Sequence, residues 1–596
     1  MLACAGLLFA ACGDFLEIKP RDIVTEDNFW NEKTDVDQMV LGCYTAMQSD
    51  AFIRRCIVWG ELRSDNIFPG SGVENKDDDI YQALRENLLS TNQYTDWSSF
   101  YYVINKCNTI IRMAPEVSAV DPAYNASQLS ATIAEMTALR SLCYFYLIRA
   151  FDEVPFYREG IQEEEQVQYL PASSFDYVLG EIINDLESVK ADAYVHYAQG
   201  NNDGYGKMYN TNVNRITRTA INAMLTDMYL WQGNYDKAIQ CADAVIAQKK
   251  ADYEDEYSRQ TGQQTSVGNI SGTSTPKMSD AAPFNGLTVP LYANDANNPS
   301  ASANAIFGNY GNSFESIFEL SFNWTGSTTD FVESSALGIL YGNWLPSSDS
   351  RNNSGHGYLT VNPSIVNEMS SQTFSYFYNA NDVRFFNSLE ATDDNYGEGT
   401  IIKGVASGFN ASTGTSNAKI PYTTGTTISS EMNRNWIFYR LTDVMLLEAE
   451  AYIMRTTEEG IAAADADMQE DMKKAFDLVY LVSKRSVVKD FRLSASSSEA
   501  TTRGLLIELI RKERNRELMF EGKRWFDLVR QARRDGKPDI VRNSVPSKIT
   551  GSGSSLGFPS MDALFWPYNK QELKKNPNIT QKAIYANEAE ETFKSH

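Results

Sequence analysis

Histidine is nearly absent from this sequence. Three occur in 596 residues, His196, His356 and the terminal His596, so a Ser–His–Asp hydrolase has only His196 or His356 to draw on. Gly553-Ser554-Ser555-Leu556-Gly557 satisfies the Gly-x-Ser-x-Gly spelling. Neither a buried strand before it nor a helix after it frames a strained nucleophile elbow. No His-Glu-x-x-His zinc pair and no Gly-x-x-x-x-Gly-Lys-Ser/Thr phosphate loop occurs. Cysteine is scarce too: there are seven, with no Cys-x-x-Cys spacing, which removes zinc-ribbon and thioredoxin-like readings. Cys43, Cys107, Cys143 and Cys241 fall in apolar helical runs and read as small core residues. Cys56 lies a short turn from Cys43, and paired and free states both stay open. Basic charge is in short supply, 53 Lys and Arg against 77 Asp and Glu, for a net charge of -24. That balance argues against nucleic acid and anionic lipid as partners and leaves neutral sugars or cations. No segment approaches the roughly 20 apolar residues that span a bilayer.

What the chain does have is a dense run of charge on helical spacing. From Arg503 to Arg534, Leu505, Leu506, Leu509, Ile510 and Glu513 share a face that continues through Glu517 and Leu518. Glu513, Glu517 and Glu521 stand one turn apart, with Arg514, Arg516 and Lys523 beside them. Gly522 interrupts the pattern, and a second amphipathic run carries Arg524, Trp525, Phe526, Asp527, Leu528, Val529 and Arg530. Arginine–carboxylate forks at this density tolerate partial burial. No nucleophile or metal cluster accompanies them, so they are expected to staple helices together. Upstream, Asp443, Leu446, Leu447 and Glu450 follow three- and four-residue steps, which aims Asp443 and Glu450 at the arginines of the 503–530 hairpin.

Helical patterns fill the first 250 residues: a helix after Thr34 or Asp35 as cap, then Trp97–Met113, Leu129–Arg149 and Ser174–Val189. A hairpin follows, Arg215–Trp231 and Tyr235–Ala247, joined at Gly233-Asn234. Its alternation of Ala220, Ala223, Ala238 and Ala242 with tyrosines is that of a tetratricopeptide helix pair. From Lys250 to about Glu431 the composition shifts to Gly, Ser, Thr and Asn with scattered aromatics. Strand-like pieces are expected at Glu315–Phe322 and Phe374–Tyr378. A structureless stretch of that length is unusual in a compact protein, so a subdomain laid over one face of the helical body is expected.

Two groups of residues suit a sugar. Arg63, Asp65 and Asn66 follow Trp59, and their forks and amides match hydroxyls that both donate and accept; the same residues also suit a turn cap. Trp324, Phe331, Tyr341 and Trp344 lie among glycines and asparagines, with Tyr341 and Trp344 in what reads as a loop from Gly338 to Asp349. Flat aromatic faces there either stack on a pyranose or anchor the subdomain. For glycoside cleavage, Asp330 and Glu333 flank this aromatic segment, whereas Glu448 and Glu450, two apart on a helix, point different ways. Asp77-Asp78-Asp79 lacks the twelve-residue loop of an EF-hand, so a structural calcium has no support and no cofactor is expected.

The run Arg514-Asn515-Arg516-Glu517-Leu518-Met519-Phe520-Glu521-Gly522-Lys523-Arg524-Trp525-Phe526-Asp527-Leu528-Val529-Arg530 resembles the C-terminal signature of the RagB/SusD family. Asp382-Val383-Arg384, the stretch Asn435–Ala451, Leu564–Glu572 and Asn576–Gln581 resemble further family motifs, with Asn569 where a second proline is usual. Val479–Arg485 departs locally from the family's pattern. At the other end, Leu7–Ala11 followed by Cys12-Gly13-Asp14 resembles a secretory signal whose cleavage leaves a lipidated cysteine; a short buried helix is the alternative. The resemblance implies a mainly α fold, a degenerate tetratricopeptide scaffold with a loop-rich, mixed α/β ligand-binding subdomain. It divides the chain into a signal remnant (1–11), an N-terminal helical region (12–250), the inserted subdomain (251–431) and the C-terminal signature region (432–596). It further implies a non-enzymatic outer-membrane lipoprotein anchored at Cys12. Such a protein binds an oligosaccharide or polysaccharide and docks on a SusC-like TonB-dependent barrel. A peptide-binding member and, less favoured, a helical glycoside hydrolase are the alternatives.

Overall fold

The computed structural model describes residues 29–70, 72–161, 166–197, 213–258, 276–308, 311–322, 336–342, 357–390, 399–406, 408–413, 422–426, 434–549 and 557–586. Helices dominate. The principal ones are α1 (Lys33–Met47), α2 (Asp50–Ile57), α3 (Ser98–Val120), α4 (Ala126–Phe151), α5 (Phe175–Val189), α6 (Arg218–Gln232) and α7 (Tyr235–Ser258). After the loop-rich middle come α8 (Leu441–Arg455), α9 (Ala466–Ser486), α10 (Arg503–Leu518) and α11 (Arg524–Asp535). Among the described residues no helix is long and apolar enough to cross a membrane.

Side-chain caps set several boundaries. Asn125 opens α4 with a capping box closed by Gln128, and Ser174 caps α5 through the Tyr177 amide. Neither Thr34 nor Asp35 is the cap of α1. Glu32 is, with Asp35 returning a bond to its backbone amide, because a carboxylate at N3 completes the reciprocal pair. Gly233, at φ +79°, ends α6 in the left-handed conformation and turns the chain straight into α7. In that hairpin Ala220, Ala223, Ala238 and Ala242 are fully buried, so small side chains sit where the two helices meet.

The helices pack in series: α1 on α3, α3 on α4, α4 on α5, α5 on α6, α6 on α7, α7 on α8, and α8 on both α9 and α10. One continuous apolar core runs through them from Val36 to Tyr585. Cys43, Cys56, Cys107, Cys143 and Cys241 are all free and buried within it, so Cys43 and Cys56 form no disulfide.

Short antiparallel ladders stitch the middle of the chain to this body. β1 (Ile67–Pro69) pairs with β3 (Leu359–Val361), and β2 (Ser316–Leu320) with β6 (Trp436–Arg440). β4 (Phe409–Thr413) and β5 (Tyr422–Thr426) pair with each other. β2 falls where the apolar run Glu315–Phe322 placed a strand. Phe374–Tyr378 is not a strand: it bends, with the Tyr376 amide donating to the Glu368 carboxylate instead of to a ladder. The loop expected from Gly338 begins as a helix turn, Ala336–Leu340, because Leu337 and Leu340 are drawn into the core.

Candidate functional site

The turn between α10 and α11 is where the chain's charge is concentrated, and it is buried. Phe520 and Gly522 take left-handed backbone conformations there, turning the chain from one helix into the next. Glu513 accepts from Arg384 Nη1 at 2.6 Å and from Arg516 Nη1 at 3.0 Å. Glu517 accepts from Arg440 Nη1 at 2.7 Å and from Arg485. Arg440 also forks onto Glu521, both contacts at 2.7 Å, and Lys403 reaches the same carboxylate at 2.6 Å. Arg514 spans Asp443 and Asp527, at 3.0 and 2.9 Å, while Arg530 joins Glu450 to Asp527, at 2.7 and 2.8 Å. Burial alone would raise the Glu517 carboxyl; Arg485, Arg440 and Arg384 outweigh it and hold the group well below its ordinary range. With each carboxylate matched to fixed guanidinium groups, this arrangement clamps elements together and leaves no group to act on a substrate. Arg485, Glu315 and Lys403 belong to the same network without having stood out in sequence, since none has a partner on its own helical turn.

The residues chosen for hydroxyl contact serve the same clamp. Arg63 is 2% exposed; its guanidinium bonds Glu86 and the carbonyls of Ala563 and Leu564 and lies 4.4 Å over the Trp525 ring. Asp65 receives a fork from Arg524 at 2.7 and 2.8 Å. Asn66 donates to Glu61 and Asn515. Tyr341 is fully buried, with its ring near Phe520. The cause is local: the turn Val58–Leu62 is a π-helical extension of α2, and it drives the following residues inward against the 515–525 turn. Arg63, Asn66 and Tyr341 therefore present nothing to a ligand, and Asp65 only borders a cavity. Trp324, Phe331, Trp344, Asp330, Glu333, His356, His596, Cys12 and Gly553–Leu556 lie outside the described residues. His196 pairs with Asp252 at 2.9 Å. Among the described residues no group of three His, Cys, Asp or Glu side chains could hold a metal ion.

An open cavity of about 470 Å³ lies elsewhere, between α3, residues 155–161 and 167–169, and residues 572–579. Helical spacing places Ser98, Tyr101, Tyr102 and Asn105 on one face of α3. A strap of extended chain is tied to that face: Asn105 exchanges bonds with the Ile161 backbone at 2.7 and 2.8 Å, Asn108 holds the Tyr157 and Glu159 carbonyls, and the Tyr101 hydroxyl donates to Pro155. These ties consume the amides but leave exposed rings, the Lys106 ammonium lying 4.9 Å over that of Tyr102. Tyr102 is 58% and Tyr169 50% exposed, with Trp97 and Tyr157 deeper and Glu572 and Lys575 on the rim. Tyr101 and Tyr102 merge with the apolar pattern of α3 and so give no separate signal in the sequence. Only the returning strap makes a groove of them.

The sequence model of the SusD family matches residues 315–585, the part that holds the clamp. That part of the chain is similar to the SusD family. Two SusD-like proteins of Formosa agariphila are 27% identical over 187 residues and 25% identical over 202 residues. Those alignments cover 31% and 32% of this chain and 35% of each relative, so the chain spans about a third of the length of the curated relatives it matches. Solved structures share the SusD-like fold along nearly the whole chain. A SusD superfamily protein of Bacteroides vulgatus matches with a TM-score of 0.60 at 18% identity, over 93% of this chain and 99% of its own. One from Bacteroides thetaiotaomicron gives 0.58 at 20% identity, over 93% and 99%. A laminarin-binding SusD-like protein gives 0.57 at 18% identity, over the same shares.

Proposed function

We propose that this SusD-like chain captures a saccharide at the bacterial surface and passes it, uncleaved, to a SusC-like TonB-dependent barrel. In this reading Cys12 carries the lipid that holds the protein on the outer membrane. Residues 12–250 and 432–596 supply a degenerate tetratricopeptide-like body that carries the tyrosine groove, and 251–431 a loop-rich subdomain that adds ligand contacts to it. The family match over residues 315–585 supports the partner and the compartment, and the laminarin-binding SusD-like structure supports a glycan as cargo. The observation that carries saccharide binding on this chain is the groove at Tyr102 and Tyr169. Half-exposed phenol rings in a concave surface stack on the C–H face of a pyranose. Trp324 and Trp344 are proposed as further stacking residues.

Affinity electrophoresis of the purified protein against plant, host and microbial polysaccharides tests this. Retardation by one glycan should weaken at least tenfold, about 1.4 kcal/mol, in Tyr102→Ala or Tyr169→Ala at unchanged melting temperature. Trp324→Ala and Trp344→Ala run beside them. Retardation that survives both tyrosine substitutions moves the site away from this groove. Absence of retardation on the whole panel, with binding to a peptide library, transfers the cargo to peptides.

A further inference from the structure

A second cavity, of about 260 Å³, opens beside α10 and has the opposite charge to the rest of the molecule. Glu508, Arg511, Lys512, Asn515 and Arg516 follow three- and four-residue steps and so line it from one helix face. Arg524 closes it from α11, and Tyr376 from the bend after residue 372. Four cationic side chains thus meet two acidic ones, Glu508 and Asp65, in a chain whose net charge is -24.

The acids do not satisfy the cations. Asp65 occupies Nε and Nη2 of Arg524, while Nη1 of that buried arginine has no hydrogen-bond partner among the described residues. That nitrogen is itself closed off from the cavity, so the charge that faces the opening is that of Arg511 and Lys512. Arg511 and Lys512 share the single carboxylate of Glu508, Lys512 only loosely at 3.8 Å. Arg516 is fixed by Glu513 and the Tyr376 carbonyl. Concave walls concentrate the field of the excess positive charge. At roughly 30 Å³ per liquid water, the volume exceeds an inorganic ion and admits the residue that carries it.

We propose that this cavity binds an oxyanion, the carboxylate or sulfate of an acidic saccharide, with Arg511 and Lys512 as its ligands and the field of Arg516 and Arg524 behind them. The site is separate from the tyrosine groove, and the saccharide source rests on the proposed function, whereas oxyanion binding itself does not. Titration calorimetry of the intact protein with sodium glucuronate, glucose, sodium sulfate and sodium chloride at matched ionic strength tests it. Arg524 is paired to Asp65 and its loss would disturb the fold, so the variants are Lys512→Glu and Arg511→Ser, both on partly exposed positions, with the exposed Lys537→Glu as control. Saturable heat with glucuronate or sulfate, none with glucose or chloride, weakened at least tenfold in Lys512→Glu and Arg511→Ser but not in Lys537→Glu or Tyr102→Ala, supports the site. Binding of sulfate alone under that pattern supports the oxyanion site and assigns it to the free ion. No heat from either anion, or equal heat in wild type and Lys512→Glu, overturns the proposal. A neutral glycan that binds through Tyr102 while both anions fail would sink this site and leave the groove intact.

Discussion

Glu61 is a carboxyl group enclosed by the π-helical turn on one side and the 515–524 turn on the other. Its Oε1 accepts from Asn66 and from the Phe520 amide, while Oε2 is buried with no partner. Burial is the largest influence, only partly offset by those bonds, and the group is pushed up to about 7. A proton on Oε2 is the physical consequence. Because the folded value exceeds the unfolded one, near 4.3, this glutamate's contribution is complete at acid pH. It is lost as pH rises through about 7. Nearby Lys548, buried with its ammonium donating to the Leu62 carbonyl, is brought down to about 7. Its contribution has the opposite sense, growing as pH climbs from about 7 toward its unfolded value. Glu61→Gln keeps the acceptor oxygen and removes the titration. The melting temperature of that variant should fall less than wild type between pH 4.5 and 7; parallel curves would refute a raised Glu61.

At the scale of elements, the contact that decides the architecture is made by backbone. A Cβ on Gly60 would lie 2.0 Å from the Gly522 carbonyl oxygen, and one on Gly522 would meet Trp436 and the Cys56 carbonyl at about 3 Å. The π-helical turn therefore rests directly on the α10–α11 turn, with no side chain between them. Gly60→Ala is expected to prevent that docking and to lower the urea midpoint sharply or abolish soluble expression. Gly180, inside α5, has nothing within 4 Å of its Cβ position. Gly180→Ala should stabilise by roughly 0.5–1 kcal/mol through helix propensity. Equal effects at both positions would remove the close approach from the explanation. The helices themselves were readable from apolar spacing, caps and Gly233, since those signals are local. Asp443, Glu450 and the 513–530 charges were readable as a clamp for the same reason, being spaced in turns. Arg63, Asp65 and Asn66 were not: polar side chains beside a tryptophan look alike whether they meet a sugar or an arginine, and the partner of Asp65 stands 459 positions away. The tyrosine groove was hidden because its second wall comes from a strap with no periodicity.

Across the whole molecule, Glu517 is the point where distant parts meet. Arg384 comes from the middle of the chain, Arg440 from the end of β6 and Arg485 from the end of α9, and all three reach this one carboxylate. Removing one member of such a buried set strands the others, so Glu517→Ala should cost about 3–5 kcal/mol. Lys537→Ala breaks a pair with Asp539 in which both side chains are exposed, and less than about 1 kcal/mol is expected. Chemical denaturation of both variants distinguishes a clamp from a set of dispensable ion pairs. The same geometry bears on how the protein is made. Residues 61–66 find Asn515, Phe520 and Arg524 near the far end of the chain, Arg63 donates to the carbonyls of Ala563 and Leu564, and Lys548 returns to Leu62. A polypeptide cut short before these positions leaves the Asp65 carboxylate and the Arg63 guanidinium without their distant partners beside an otherwise apolar core. Truncation before residue 515 is thus expected to leave these charges unmet and to raise sensitivity to limited proteolysis over that of the full chain.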